Sequence, residues 1–525
     1  MFNVRASLAL LKAVFVLMRE GVVTALPEEG APPPVRLAKS VARIIERKRA
    51  KNQAKSENLS KALNRLGPSW VKLGQFLATR PDVVGADIAQ DLEQLQDRME
   101  PFAAEQAKQM VAATLGCDVD NVFASFGNAV AAASVAQVHK ASVQGDDGEQ
   151  TYAVKVIRPG VRDRFSRDLR TFYFAARMME RLVPAAERLQ PVRVVDMLAQ
   201  SAKLEMDLRL EAAGFSEMGE NTRDDQGFRV PAVNWELTGR DCVTMEWIDG
   251  HKLSDLEGLQ QSDHDLPAIA NSLNQSFLLH VLRDGFFHAD MHPGNLFIDE
   301  DSNIVAVDLG ISGRLGKNER RYLAEILYGF ITRNYLRVAE VHFEAGYVPD
   351  HHDVASFAQA IRAIGEPIHG QDAEKVSMAK LLTLLFEVTE LFDMKTQPQL
   401  LLLQKTMVVV EGVARKLDPK FNMWKSAEPV VAEYVKRLLG PTARLEEARD
   451  GLHAVGRLMQ QAPLMASRFE TLSRELDMMA RDGWRLDAPS IEAIGKAEAR
   501  ASRSGRIALW VIAAGVAALV WQQFV

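Results

Sequence analysis

Asp290, Asn295 and Asp308 constrain what this chain can fold into more than any other feature. Phe287-His288-Ala289-Asp290-Met291-His292-Pro293-Gly294-Asn295 sets an aspartate and an asparagine five apart, and Val307-Asp308-Leu309-Gly310 places a second aspartate thirteen further on. Between them, Leu296-Phe297-Ile298 and Asn303-Ile304-Val305-Ala306-Val307 are short apolar runs around the turn-like Asp299-Glu300-Asp301-Ser302, the pattern of a β-hairpin. Asn295 enters that hairpin and Asp308 leaves it, so both reach the same end. Kinase-type phosphoryl transfer uses this arrangement: Asp290 orients or deprotonates the acceptor, and Asn295 and Asp308 hold Mg2+ against the phosphates of ATP. The alternative is a plain His/Asp-rich turn. His288 and His292, four apart, would suit zinc on one helix face, but Pro293 and Gly294 argue against that helix.

Such a site also needs a cation on the phosphates and a cover of backbone amides. Lys155 stands within the β-type run Tyr152-Ala153-Val154-Lys155-Val156-Ile157 and reads as the phosphate-gripping residue of a third strand. Upstream, Ala131-Ala132-Ala133-Ser134-Val135-Ala136-Gln137-Val138 has the spacing of the kinase phosphate loop G-x-G-x-x-G-x-V, with alanine wherever glycine is expected. Each added methyl limits the approach of backbone to phosphate and restricts positive φ angles. Val243-Thr244-Met245-Glu246-Trp247-Ile248-Asp249-Gly250 reads as the strand and linker that contact adenine through backbone groups, with Met245 as gatekeeper and Glu246 beside it. A methionine in a β run is otherwise plain core.

Beyond Gly310 the chain passes through Ile311-Ser312-Gly313-Arg314-Leu315-Gly316 into a helix from about Asn318. There is no long activation segment and no A-P-E anchor, so the peptide platform of a protein kinase is missing. The 525 residues, 47% of them hydrophobic, leave room for a two-lobed core with helical additions. A net charge of -6 excludes a strongly basic nucleic-acid binder. With Cys117 and Cys242 the only cysteines, neither a disulfide framework nor a four-cysteine zinc site is available.

Three further elements make the chain resemble the UbiB family of atypical kinase-like proteins, which is associated with isoprenoid quinone biosynthesis. Lys72-Leu73-Gly74-Gln75 matches the K-x-G-Q signature, Glu205-Met206-Asp207 matches the E-x-D element, and the alanine-rich loop around Ser134 is a further hallmark. The resemblance covers about residues 60 to 345. It implies that Glu211 pairs with Lys155, and that the helix of Lys72 and Gln75 lies across the mouth of the site and occludes a protein substrate. It also implies an ATP-dependent phosphotransferase-like enzyme, an ATPase or atypical kinase, serving ubiquinone or a similar prenylquinone. Prenylquinone precursors or the enzymes that make them are then the partners. Lys155 and Glu211 are 56 residues apart, so a helical insertion, 161–199, must lie between them. Glu205, Leu208, Glu211 and Ala212 fall at helical spacings, placing Glu205 and Glu211 where they flank a common site.

The termini point to a membrane. Ile507 to Trp521 carries no charge, at the short end for a span of about 20 residues, and Arg500, Arg503 and Arg506 precede it, which by the positive-inside rule predicts a catalytic body on the cytoplasmic side; the resemblance implies that the membrane is a bacterial inner membrane. Small residues around Gly515 offer a face for a homodimer. Phe2 to Met18 is apolar but carries Arg5 and Lys12, as an interfacial helix does. Residues 36–55 hold eight Lys/Arg against the single acid Glu46, a solvated face or a surface for anionic lipids. The expected fold is α+β: a protein-kinase-like two-lobed fold with an N-terminal helical extension, inserted helices and a C-terminal transmembrane helix. Its parts are an amphipathic and basic region (1–60), the K-x-G-Q extension (61–120), a small lobe with its insertion (121–250), a helical large lobe (251–485), a linker (486–505) and the span (506–525).

Overall fold

The computed structural model describes residues 4–24, 55–78, 99–145, 148–182, 190–369 and 398–439, with a few isolated positions between them. The sheet of its smaller lobe follows from two-residue alternation. Strands β1 (Ser125–Ala132), β2 (Ala136–Gly145), β3 (Gly148–Ile157) and, after an excursion, β5 (Cys242–Glu246) form an antiparallel sheet in the order β1-β2-β3-β5. In β3, Val154 and Val156 pack with Cys242 of β5 against helix α4 (Ala104–Leu115), through Ala107 and Val111. Successive side chains in a strand point to opposite faces. Ala153, Lys155 and Ile157 therefore share the other face, with Val243 and Met245.

Among the described residues, α4 is preceded by α1 (Val4–Arg19), α2 (Lys55–Leu66) and α3 (Pro68–Ala78), the last carrying the K-x-G-Q residues. The insertion after β3 contains α5 (Val161–Leu182) and α6 (Pro191–Glu205), followed by α7 (Leu208–Asn221). Trp70 of α3 meets Phe172 of α5 edge to face, ring centres 4.8 Å apart, which seats the K-x-G-Q helix on the insertion. The helical spacing of Glu205 through Ala212 does not give one helix. Asp207 accepts the Arg209 N–H at 3.3 Å and caps α7, because a short carboxylate in extended backbone satisfies an otherwise orphaned N–H. Glu205 thus ends one helix while Glu211 lies in the first turn of the next.

The larger lobe is mainly helical. A second sheet runs β4 (Phe228–Arg229), β9 (Ile304–Ala306), β8 (Leu296–Ile298), β6 (His251–Lys252), and β7 (Phe286–His288) pairs with β10 (Ser312–Arg314). Helices α8 (Leu256–Gln261), α9 (Leu266–Leu279), α10 (Lys317–Ile331), α11 (Tyr335–Glu344), α12 (Val354–His369), α13 (Pro398–Leu417) and α14 (Met423–Leu439) complete the described part. The linker from β5 runs flush against β8: a Cβ on Gly250 would lie 2.2 Å from the Ile298 carbonyl oxygen. One core joins Phe215 and Met218 of α7, Leu273 and Phe277 of α9, and Met407 and Val410 of α13. Among the described residues no helix is long and apolar enough to cross a membrane. The expected span at 506–525, the linker before it and the basic run 47–54 lie outside the described residues.

Candidate active site

The hairpin forms as its pattern predicts. Leu296 pairs with Ala306 across β8 and β9, and the Val307 N–H donates to the Asn295 carbonyl at 2.9 Å, which places Asn295 and Asp308 side by side at one end. Asn295 donates its amide to the Asp290 carbonyl at 3.2 Å and to Asp290 Oδ2 at 3.3 Å. The Asp308 turn is drawn tight by the Gly310 N–H, which donates to Asp308 Oδ1 at 2.8 Å. The turn also lies against the Asp290 loop, because His288 pairs with Ser312 and the Ala289 N–H donates to the Ile311 carbonyl at 3.0 Å.

Lys155 reaches into this cluster from the small lobe. Its Nζ lies 2.6 Å from Glu211 Oε1 and 3.0 Å from Asp308 Oδ2. Lys155 and Glu211 are nearly buried, at 13% and 7% side-chain exposure, whereas Asp308 keeps 40%. Burial alone would lower the lysine pKa, but the charges of Asp308 and Glu211 outweigh it and raise Lys155 above the ordinary lysine range. Burial pushes the Glu211 carboxyl up to about 7 against the pull of Lys155. Asp308 goes the other way: burial opposes its charge, yet Lys155 and the Gly310 N–H hold it below the usual carboxylate range. One cation therefore serves two carboxylates, of which Asp308 is the firmly ionised one.

The K-x-G-Q helix reaches the edge of the same cluster. Lys72, buried in α3, forms an ion pair with Glu205 at the end of α6, and the Glu205 charge contributes to raising Glu211. Gln75 lies one turn further along α3, half-buried. Asp207 is spent elsewhere: besides its cap it binds the Arg209 side chain at 2.9 and 2.7 Å, so of the E-x-D element the glutamate alone faces Lys72.

Ala131 and Ala132 end β1, Ala136 opens β2, and Ala133-Ser134-Val135 make the turn, closed by the Ala133 N–H donating to the Ala136 carbonyl at 2.8 Å. Val138 stands opposite Lys155 in the β2–β3 ladder, so the turn lies at the same end of the sheet as the lysine. Met245 is buried opposite Ala153 on the Lys155 face of the sheet. Glu246 directs its carboxylate to Arg229 at 2.9 Å and its N–H to the Ala232 carbonyl at 2.8 Å, so any contact from this residue to a base falls to its carbonyl.

Asn295 and Asp308 offer an amide oxygen and a carboxylate, the hard donors magnesium takes. The Asn295 nitrogen is engaged with Asp290, which leaves its oxygen as the ligand atom. The residues present thus fit a nucleotide-bound Mg2+. Two supports were not signalled by any motif. Thr406 of α13, buried, shares its single hydroxyl proton between the Ala289 carbonyl at 3.0 Å and the Leu402 carbonyl of its own helix at 2.9 Å, and so sets α13 against the Asp290 loop. Arg229 spans Glu246 and Asp299, at 2.9 Å each, and ties the linker strand to the β8–β9 turn.

Residues 94–342 match the ABC1 atypical kinase-like domain and residues 361–422 the UbiB helical domain. The protein named "Probable protein kinase UbiB" from Histophilus somni is 36% identical over 437 residues, covering 82% of this chain and 80% of that one. Its namesake from Vibrio parahaemolyticus is 38% identical over 399 residues, covering 75% and 73%. A Mycobacterium tuberculosis protein solved as an erythromycin complex aligns at 23% identity with a TM-score of 0.45, over 71% of this chain and 99% of that one. Fold and site together define an atypical kinase-like protein, a class that implies ATP as the nucleotide. Within that class the chain belongs to the UbiB family.

Proposed function

We propose that the protein turns over ATP with Mg2+ at a membrane surface in support of ubiquinone or a related prenylquinone's biosynthesis. The observation that carries this reading is Lys155 bridging Glu211 and Asp308 beside Asp290 and Asn295. ATP supplies the phosphoryl group, and Mg2+ neutralises its charge. Glu211 fixes Lys155 for the phosphates, Asn295 and Asp308 would take the metal, and Asp290 orients the attacking water or, in the kinase reading below, the acceptor's hydroxyl. The Lys72–Glu205 pair holds the K-x-G-Q helix beside Glu211, which favours water or a small acceptor over a protein. The quinone pathway rests on the relatives' name. Leu8, Leu11 and Phe15 leave one face of α1 apolar and exposed, which supports contact with lipid.

A second reading, a kinase acting on a small molecule or lipid, uses the same residues. A third is a nucleotide-regulated scaffold that binds lipid and gathers pathway enzymes. Phosphate release by the purified protein, measured with vesicles of defined composition and with or without prenylphenol precursors, separates them. Magnesium-dependent release stimulated by vesicles, with no phosphorylated product, is expected. A phosphorylated lipid or phenol would establish the kinase. No turnover under any condition, with nucleotide still bound, would favour the scaffold.

A further inference from the structure

Four carbonyls of the phosphate-loop turn are spoken for, three of them from outside the turn. Ala132 C=O accepts the Met99 N–H at 3.1 Å, Ala133 C=O accepts Arg158 Nε at 2.8 Å, and Val135 C=O accepts the Arg158 N–H at 2.8 Å. Ala136 C=O closes the turn on Ala133. Arg158 also donates through Nη2 to the Glu100 carbonyl at 2.9 Å and lies 5.6 Å from the centre of the Phe102 ring. Next to the turn, Gln137 exchanges two hydrogen bonds with the Phe102 backbone, accepting its N–H at 2.9 Å and donating to its carbonyl at 3.1 Å. The same amide nitrogen lies 2.8 Å from His139 Nε2, while His139 Nδ1 lies 2.8 Å from the Gly127 carbonyl. A carbonyl only accepts, so Nδ1 carries the proton and Nε2 takes the bond from Gln137. Burial lowers the pKa of His139 and so favours this neutral ring.

We propose that Met99 to Phe102 form a strap that, through Arg158 and Gln137, holds the phosphate-covering turn in place before nucleotide arrives. Arg158 and Gln137 are positioning residues for nucleotide binding. A loop that binds phosphate must present N–H groups and withhold C=O groups. In a trans peptide the N–H points opposite the preceding C=O, so fixing the Ala133 carbonyl on Arg158 aims the Ser134 N–H away from that guanidinium. A glycine-rich cover gains its fit by moving onto the phosphates. An alanine-rich turn has fewer conformations open to it, and the strap supplies from outside the placement it cannot reach by flexing. Binding then costs less ordering of the loop.

The inference rests on the nucleotide-site reading above, and two measurements on the full-length protein keep the two apart. Amide hydrogen exchange across residues 131–137 without nucleotide tests the strap alone, and a titration with a fluorescent ATP analogue and Mg2+ tests its consequence. For Arg158→Ala, exchange in 131–137 is expected to quicken at least tenfold while α9 keeps the parent's protection. The nucleotide Kd is expected to rise about tenfold with kcat at saturating ATP within twofold of the parent. Arg158→Lys retains charge without the fork and is expected to fall between the two. Gln137→Glu keeps the acceptor for Phe102 N–H but loses both donated bonds, and serves if Arg158→Ala does not fold. Unchanged exchange in the turn, or faster exchange with an unchanged Kd, overturns the proposal. A parent that takes up no nucleotide refutes the site reading, while the exchange result still judges whether the strap holds the turn.

Discussion

Lys155 is the residue on which the account turns, and its two carboxylates behave differently with pH. Glu211, pushed up to about 7 by burial, gains a proton as pH falls through that value, and a neutral glutamic acid grips the ammonium far less than a carboxylate does. Turnover is therefore expected to fall on the acid side of about pH 7, and Glu211→Gln should remove that limb and leave a lower, flatter profile. A limb of the same position and depth in Glu211→Gln would assign it to another group. The identities of Lys155, Asp290, Asn295 and Asp308 were legible in sequence because phosphoryl transfer needs those groups at nearly fixed spacings. Arg158, Thr406 and Arg229 were not, because each acts on backbone or on a partner far along the chain: 133 lies 25 positions from 158, and 289 lies 117 from 406. Asp207 shows the reverse case, a residue singled out by a motif that is engaged in capping its own helix.

At the scale of elements, α13 supports the Asp290 loop, and α11 carries a buried histidine. Thr406→Val keeps shape but removes the hydroxyl that the Ala289 and Leu402 carbonyls share, a loss of at most about 1–3 kcal/mol for a buried acceptor left without its donor. Because Ala289 precedes Asp290, kcat is expected to fall severalfold more than nucleotide affinity; steady-state kinetics beside a thermal melt would check this, and equal loss in KM and kcat would count against it. His342 donates from Nδ1 to the Val338 carbonyl at 2.7 Å and packs on Phe357, and burial lowers its pKa to about 4. The unfolded histidine titrates near 6.5, so between about 6.5 and 4 the unfolded chain binds more protons and stability falls as pH falls, by at most about 3 kcal/mol. Denaturant midpoints from pH 7 to 4.5 should decline less steeply in His342→Asn than in the parent; parallel declines would exclude His342 as a cause. Element types in the kinase-like region were readable from period and turn residues. The break at Met206 and Asp207 was not, since helical spacing continues across it and only the cap geometry interrupts it.

At the scale of the whole molecule, Arg229 links the linker strand to the large lobe through Glu246 and Asp299. Deleting residues 504–525 is expected to release the protein from membranes only in part, because the exposed apolar face of α1 at Leu8, Leu11 and Phe15 remains. Flotation with anionic vesicles reads this directly, and complete release into a low-salt soluble fraction would show that α1 holds no lipid. The most direct test of the central claim is a calorimetric titration of ATP into the purified protein, with and without Mg2+, for the parent and Asp308→Asn. Magnesium-dependent binding is expected in the parent, at least a hundredfold weaker binding in Asp308→Asn, and a single cooperative melting transition in both without nucleotide, that of Asp308→Asn displaced only by the loss of its ion pair with Lys155. Equal, magnesium-independent affinity in both proteins would contradict it, because Asp308 would then not be holding a metal on the phosphates.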